Sequence, residues 1–450
     1  MSVDSNLGTA SLTGAVSLTE RKTRTRFMIL ALISGGTMIN YLDRSVMGIA
    51  APSISADLGL NAAMMGLVFS AFSWTYAAAQ IPGGILLDRL GTKFTYWLAL
   101  TLWSLFTGLQ GLAQGFLSLI GIRLLVGATE APCFPTNSRV VAMWFPQNER
   151  ARATSIYTFA EYVGLAFLTP LLFWVLHAYG WRFLLMAVGL LGILYGLVWW
   201  RKFHEPHQST SANQAELDYI AEGGGVIDGG QKATVFSWSQ IPALLKHRNM
   251  LGICLGQFAC NSTNVFFLTW FPTYLVVERH MPWLKVGWIA VLPFIAASVG
   301  TLFGGWLSDA MLRRGISLSW ARKLPVISGL VMASIIVSAN YVESDALVVA
   351  ILCVAYFAQG MSALAWMIVS DIAPKGLLGL SGGVFNLFAN AAGIITPLTI
   401  GIIVTATGSF VWALAFVSSI TVMGALCYLF LVKDIRRLPD IHEVQTGDLK

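Results

Sequence analysis

The sequence predicts an all-α integral membrane protein, with twelve transmembrane helices in two pseudo-symmetric six-helix bundles. Three observations predict it. Of 450 residues, 56% are hydrophobic and 11% are charged, whereas a soluble domain carries about 25% charged residues. Twelve apolar stretches are each long enough to cross a bilayer, for which about 20 apolar residues suffice. A single long polar segment, residues 201–248, divides them six and six, and a short motif recurs on both sides of it. A porin-like barrel would show alternating segments of about 10 residues, and runs such as LLGILYGLVWW exclude that pattern.

The first stretch, 27–50, leads into MINYLDRSVMGIAAP and holds Asp43 and Arg44 side by side. The second, 62–87, contains the pair Gly83-Gly84, and the third is 94–113. The fourth, 115–138, carries Arg123 and Glu130; the fifth, 152–177, carries Glu161; the sixth, 181–200, is apolar beyond Arg182. After the polar segment come 249–277 with Gln257, Asn261 and Asn264, then 286–308 with Gly304-Gly305, then 324–342. The last three are 346–370 with Gln359, 380–406 with Asn386 and Asn390, and 409–432. The expected division is a tail 1–26, a bundle 27–200, a connecting loop 201–248, a second bundle 249–432 and a tail 433–450.

Charge placement gives the orientation. With the N-terminus in the cytoplasm, the inner segments hold Arg21, Lys22, Arg24, Arg26, Arg89, Lys93, Arg139, Arg150 and Arg152, among others. The outer loops hold only Arg182, Arg279 and Lys285. That asymmetry predicts both termini in the cytoplasm of a multi-pass inner-membrane protein. The net charge of +6 is then topological and does not point to nucleic acid. The N-terminal stretch is polar and Ser/Thr-rich, without the apolar core and cleavage site of a signal peptide. Cys133, Cys254, Cys260, Cys353 and Cys427 all fall in apolar runs without metal-ligand spacing, so they read as small core residues.

The two halves repeat. GGILLDRLGTK starts at Gly83 and GGWLSDAMLRRG at Gly304; in each, two glycines precede an aspartate, Asp88 or Asp309, by the same spacing. Glycines let helices approach closely. The aspartates are expected at cytoplasmic helix ends beside Arg89 and Arg313.

Ionisable residues inside a membrane segment cost about 2.5–3.5 kcal/mol each on insertion scales, so they are usually paired and functional. The deep set is Asp43, Arg44, Arg123, Glu130 and Glu161, all in the first half, while the second half offers neutral amides. Arg123 and Glu130 are seven residues apart, hence on one helix face. Asp43 and Arg44 point about 100° apart, which suits one to a partner helix and the other to a cavity. No histidine lies deep, so a proton relay must use carboxylates. A change in the distance between an arginine and a carboxylate would load and release a proton. The alternative is a static network that only fixes helix packing.

GGILLDRLGTK resembles the signature loop between helices 2 and 3 of the major facilitator superfamily, and the likeness covers nearly the whole chain. The resemblance implies two six-helix bundles that rock about a central cavity, with Gly84, Asp88, Arg89, Asp309 and Arg313 as a cytoplasmic gate. Within that superfamily, five stretches are similar to the anion:cation symporters, especially their bacterial sugar-acid members. They are NYLDR (40–44), GLVFSAFSWTYAAAQIPGG (66–84), GATEAPCFPTNSRVVAMWFPQNERARA (127–153), GQFACNSTNVFFLTWFPTYL (256–275) and GLSGGVFNLFANAAGIITP (379–397). The resemblance implies that Asp43 and Glu130 bind protons and that Arg123 exchanges partners between them. It implies that Arg44 binds the substrate carboxylate, and that Tyr41, Tyr76, Gln257, Ser370, Asn386 and Asn390 hydrogen-bond the substrate. At Glu161 the chain departs, because the sugar-acid symporters usually carry Gln there. Three readings stay open for Glu161: a neutral hydrogen-bond donor to the substrate, an additional coupled proton, or a substrate with a positive or zwitterionic group.

The expected function is proton-coupled symport of an organic anion, most simply a sugar acid such as an aldonate or aldarate, by a monomer in lipid. The alternatives are uptake of another carboxylate, such as a hexuronate or an aromatic acid, or export of a drug or metabolite. No cofactor or metal is expected. An enzyme is not expected either: the Gly223–Gly225 run lacks the context of a nucleotide site.

Overall fold

The computed structural model describes residues 21–225, 240–374 and 377–438, and all regular structure among them is helical. The expected tails are therefore described only in part, as is the connecting loop. Nine helices among the described residues are long and apolar enough to cross a membrane. One of them, Gln147–Lys202, is two helices that meet at Gly180, whose φ of 79° breaks the helical path. Thr25–Leu58 and Thr92–Gln110, richer in polar residues, complete the twelve.

In chain order these are α1 Thr25–Leu58, α2 Ala62–Leu90, α3 Thr92–Gln110, α4 Phe116–Trp144, α5 (147–179) and α6 (181–202). The second half holds α7 Arg248–Thr269, which runs on and widens into a π-helical turn at Tyr274–Glu278, and α8 Trp283–Arg313. It closes with α9 Leu318–Tyr341, α10 Asp345–Ile372, α11 Leu378–Thr407 and α12 Val411–Leu431. α1 extends past the expected end at 50 and continues through Pro52. Its stop is Gly59, left-handed at φ 63°, whose N–H bonds back to Ser55.

Alternate helix ends define two faces. One, the basic face, carries Arg21–Arg26, the 201–225 segment and most of the lysines and arginines. The far face carries Arg182, Arg279 and Lys285. Arg182 pairs with Asp57 at 3.0 Å, and Arg279 and Lys285 share Asp345 at 3.4 and 3.2 Å.

The repeated glycine pair has a matched structural role. A Cβ on Gly83 would press on Pro132 of α4 at 3.0 Å, and one on Gly304 would press on Met361 of α10 at 2.9 Å. Gly84 and Gly305 face open space. Within each half, then, the first glycine seats one helix pair, α2 on α4 or α8 on α10, and the second is left free. The ion pairs of the two repeats differ. Asp88 pairs with Arg139 of α4 at 2.9 Å, not with Arg89, because a neighbour in sequence on a helix points away from it. Asp309 and Arg313 are both exposed and form no ion pair among the described residues. Their place is taken by Arg322, which reaches Asp371 at 3.3 Å and donates to Ser308 at 3.1 Å.

The core shows how the halves sit. One apolar cluster joins both halves at the far face, from Leu42, Val46 and Phe69 to Phe267, Phe271 and Val417. Toward the basic face the core splits into two clusters. One belongs to the first half around Tyr96, Trp103, Trp144 and Trp199, and the other to the second half around Val326, Phe385 and Tyr428. Among the described residues, the hydrogen bond between the halves, from the Ala63 N–H to Thr405 Oγ1 at 2.7 Å, is also at the far face. The molecule is thus closed at the far face and open at the basic one.

Part of the connecting loop folds back on the first half. Its helix Gln214–Glu222 is capped by Asn213, whose side chain accepts from the Glu216 N–H. Glu216 is fully buried and accepts from Thr23 Oγ1 at 2.5 Å, the N–H groups of Thr25 and Arg26, and Arg26 Nη1 at 3.0 Å. α1 has no side-chain cap of its own, so Glu216 satisfies orphan amides at its start from 190 residues away. The Gly223–Gly225 run is the other end of this dock: Gly223 O accepts from the Gln147 N–H and Gly224 O from Arg150. Glu149 accepts from both Arg26 and Tyr219, and that bond holds the Tyr219 hydroxyl above the usual phenol range.

Candidate functional site

The site forms where α4 breaks. Pro132 and Pro135 in APCFP supply no N–H, so the helical ladder is interrupted just after Glu130. α10, the counterpart in the second half, is likewise tightened at Ser362–Leu364. Breaks at corresponding positions of two repeats are where such folds place ligand sites. A Cβ on Gly127 would collide with the Phe72 carbonyl, so glycine there lets α2 and α4 touch and brings Phe72 and Tyr76 beside the α4 charges.

Arg44 and Glu130 form the centre. Arg44 Nε donates to Glu130 Oε1 at 2.7 Å. Arg44 Nη2 lies 2.6 Å from the same oxygen, at an angle that makes no hydrogen bond. Among the described residues Glu130 Oε2 has no hydrogen-bond partner, with the Asn40 amide nearby, and Glu130 is fully buried while the Arg44 side chain is 20% exposed. The guanidinium also lies over three rings: Phe72 and Tyr76 at 4.9 Å and Tyr41 at 5.3 Å. Arg123 lies 5.0 Å from the Phe72 ring on its own account, buried, and among the described residues its Nε and Nη1 are unbonded and it makes no ion pair.

Asp43 is fully buried, with both carboxylate oxygens unbonded, and it faces Glu130, Arg123 and the Trp103 indole. Asp43 and Arg44, neighbours on α1, thus differ in surroundings: Asp43 is fully buried within the first half, while the Arg44 side chain is 20% exposed. Glu161 on α5 is 5% exposed and lies against the Tyr41 hydroxyl, with Arg44 and Tyr162 nearby and Tyr356 of the second half across from it. It makes no ion pair within 4 Å among the described residues.

The structure brings seven of the expected residues together: Tyr41, Asp43, Arg44, Tyr76, Arg123, Glu130 and Glu161. Among the described residues, the expected second-half residues make no hydrogen bond or ion pair with this centre. Gln257 is buried on α7. Asn386 and Asn390 are half-buried on α11, and the Asn390 amide donates to the Asn386 carbonyl of its own helix at 3.0 Å. Ser370 is exposed and donates back to Trp366 at 3.4 Å. Two other amides hold helices together: Asn261 donates to Ala389 O at 2.5 Å and Asn264 accepts from Tyr356 at 2.6 Å. Phe72, Trp103 and Tyr356 belong to the site and were not read from the sequence. Phe72 stacks on Tyr76, one turn away, at 5.3 Å, and that spacing was a usable signal. Trp103 and Tyr356 sit in apolar runs that carry none.

Twelve spanning helices in two matched halves, closed at one face and meeting over a buried arginine–carboxylate cluster, define a secondary transporter. The chain belongs to the Major Facilitator Superfamily, whose pattern matches residues 33–397. It is 42% identical over 423 residues to the D-galactonate transporter of Escherichia coli O6:H1, covering 92% of this chain and 97% of that one. It is also 42% identical over 441 residues to the probable galactarate/D-glucarate transporter GudP of Escherichia coli K12, covering 95% and 98%. The inward-open structure of the xylose transporter XylE from Escherichia coli matches with a TM-score of 0.69 at 14% identity, over 91% of this chain and 96% of that one, which is a likeness of fold.

Proposed function

We propose that this protein is a proton-coupled symporter that imports a sugar acid across a bacterial inner membrane, with its basic face in the cytoplasm. The Arg44–Glu130 pair is the observation that carries the reading. One guanidinium is held through one carboxylate oxygen, at the edge of the open side. A substrate carboxylate that takes Arg44 leaves Glu130 buried without a counter-charge, which is costly. A proton on Glu130 removes that cost, so substrate and proton enter together. Asp43 is buried facing Arg123, with no ion pair between them among the described residues, so a proton on Asp43 likewise removes an unpaired buried charge. The names of the relatives at 42% identity support a polyhydroxy acid as substrate, and the lysine and arginine asymmetry supports the orientation. Aromatic faces over the cation, with neutral amides on α7 and α11 of the other half, suit a hydroxyl-rich anion.

The test is uptake into proteoliposomes with an imposed pH gradient, comparing galactonate with an aromatic acid. Gradient-driven accumulation of galactonate is expected. Uptake driven equally well by a sodium gradient alone, or confined to the aromatic acid, would reject the reading.

A further inference from the structure

The buried charges of the site do not balance. Asp43, Glu130 and Glu161 face Arg44 and Arg123, leaving one carboxylate in excess. Both cations come from the first half. Among the described residues, every cation of the second half sits at a helix end. Arg248 caps the Phe430 and Leu431 carbonyls, and Lys323 donates to Val432 O. Arg322 is held by Asp371, and Arg279 and Lys285 by Asp345. Arg313 and Arg314 are exposed at the end of α8. Among the described residues, a ligand reaching from Arg44 toward the second half therefore passes Glu161 of α5 and meets amides and tyrosine hydroxyls there, and no positive charge.

We propose that the site selects acids with a single carboxylate over diacids of the same length, and that Glu161 is the residue that enforces the choice. The proposal rests on the sugar-acid reading above and narrows it. The first carboxylate of a ligand takes Arg44. A second one, at the other end of a six-carbon chain, would be desolvated with no cation to receive it and with Glu161 adding to the unfavourable field. A hydroxyl in its place can donate to Glu161 or to the amides at no such cost. Selectivity of this kind comes from a repulsive element against the wrong ligand rather than from extra contacts to the right one.

The experiment measures uptake of galactonate and of galactarate in proteoliposomes at one pH gradient, for the wild type, Glu161→Gln and Glu161→Asp. The wild type is expected to favour galactonate by about tenfold or more, since juxtaposed like charges are strongly disfavoured. Glu161→Gln should raise the galactarate-to-galactonate ratio by a similar factor, and Glu161→Asp should keep the wild-type ratio. Equal use of both acids by the wild type would overturn the selectivity while leaving the sugar-acid reading intact. An unchanged ratio in Glu161→Gln would overturn the role of Glu161. Uptake of neither acid by the wild type would overturn both readings. The wild-type ratio decides the selectivity even where a variant fails to fold.

Discussion

Arg44 grips Glu130 by one oxygen, through Nε at 2.7 Å, and leaves Oε2 of that buried carboxylate unbonded. Such a pair is made to be exchanged. A forked pair with both oxygens engaged would resist competition from a ligand, whereas this one leaves part of the guanidinium available on the open side.

The first prediction removes the exchangeable charge. Glu130→Gln keeps the size and an acceptor oxygen but carries no proton to release. Accumulation driven by a pH gradient should vanish, while exchange of internal for external substrate persists. Continued accumulation by this variant would show that the coupling proton is held elsewhere.

The second concerns Arg44→Lys, which keeps the charge and loses the planar fork. Hydrogen bonds to a charged group contribute about 1.5–3 kcal/mol, so affinity should fall about 10- to 100-fold. Calorimetric titration of the purified variant measures it. Near-normal affinity would move the anion site to Arg123.

The third separates the two glycines of the repeated pair. Gly83→Leu collides with Pro132 and should destabilise the resting fold. Gly84→Leu meets open space, because α2 and α11 touch at Gly66 and Pro397 near the far face and the halves separate toward the basic one. Closing the basic face would bring a larger side chain there into contact. Overpacking costs about 1–3 kcal/mol, enough to depopulate the closed state about 5- to 150-fold. Expected is slow transport with normal thermal stability. Full-rate transport by Gly84→Leu would mean that this stretch does not close.

The fourth concerns the cap on α1. Glu216→Ala leaves the Thr25 and Arg26 amides and the Arg26 guanidinium without their acceptor. Breaking a buried ion pair costs about 3–5 kcal/mol. A lower melting temperature in detergent is expected, with Glu216→Gln falling between it and the wild type. A melting temperature equal to that of the wild type would show that the dock contributes nothing to the fold.

Much of this was legible in the chain. Span count, the six-and-six division and the repeated glycine motif all follow from apolar length and spacing, because lipid forces every backbone polar group to be satisfied within its own helix. The five deep charges stood out for a related reason: nothing in hydrocarbon excuses a charge without a role. The helix in the connecting loop was also within reach, since Asn213 followed three residues later by Glu216 is a capping pattern.

Tertiary structure decided the rest. The sequence placed Arg123 and Glu130 on one helix face, about 10 Å apart along the axis, which names no partner for either; Glu130 is held by Arg44 from α1, and Arg123 makes no ion pair among the described residues. Ion pairs depend on which helix faces which, and no spacing along a single helix records that. The same holds for Asp88, which turns to Arg139 and not to its neighbour Arg89, and for Glu216, whose partners lie 190 residues away. The open basic face is equally invisible in the chain, because one sequence must support both closures of a rocking carrier, and only the packing of the two halves tells which is present.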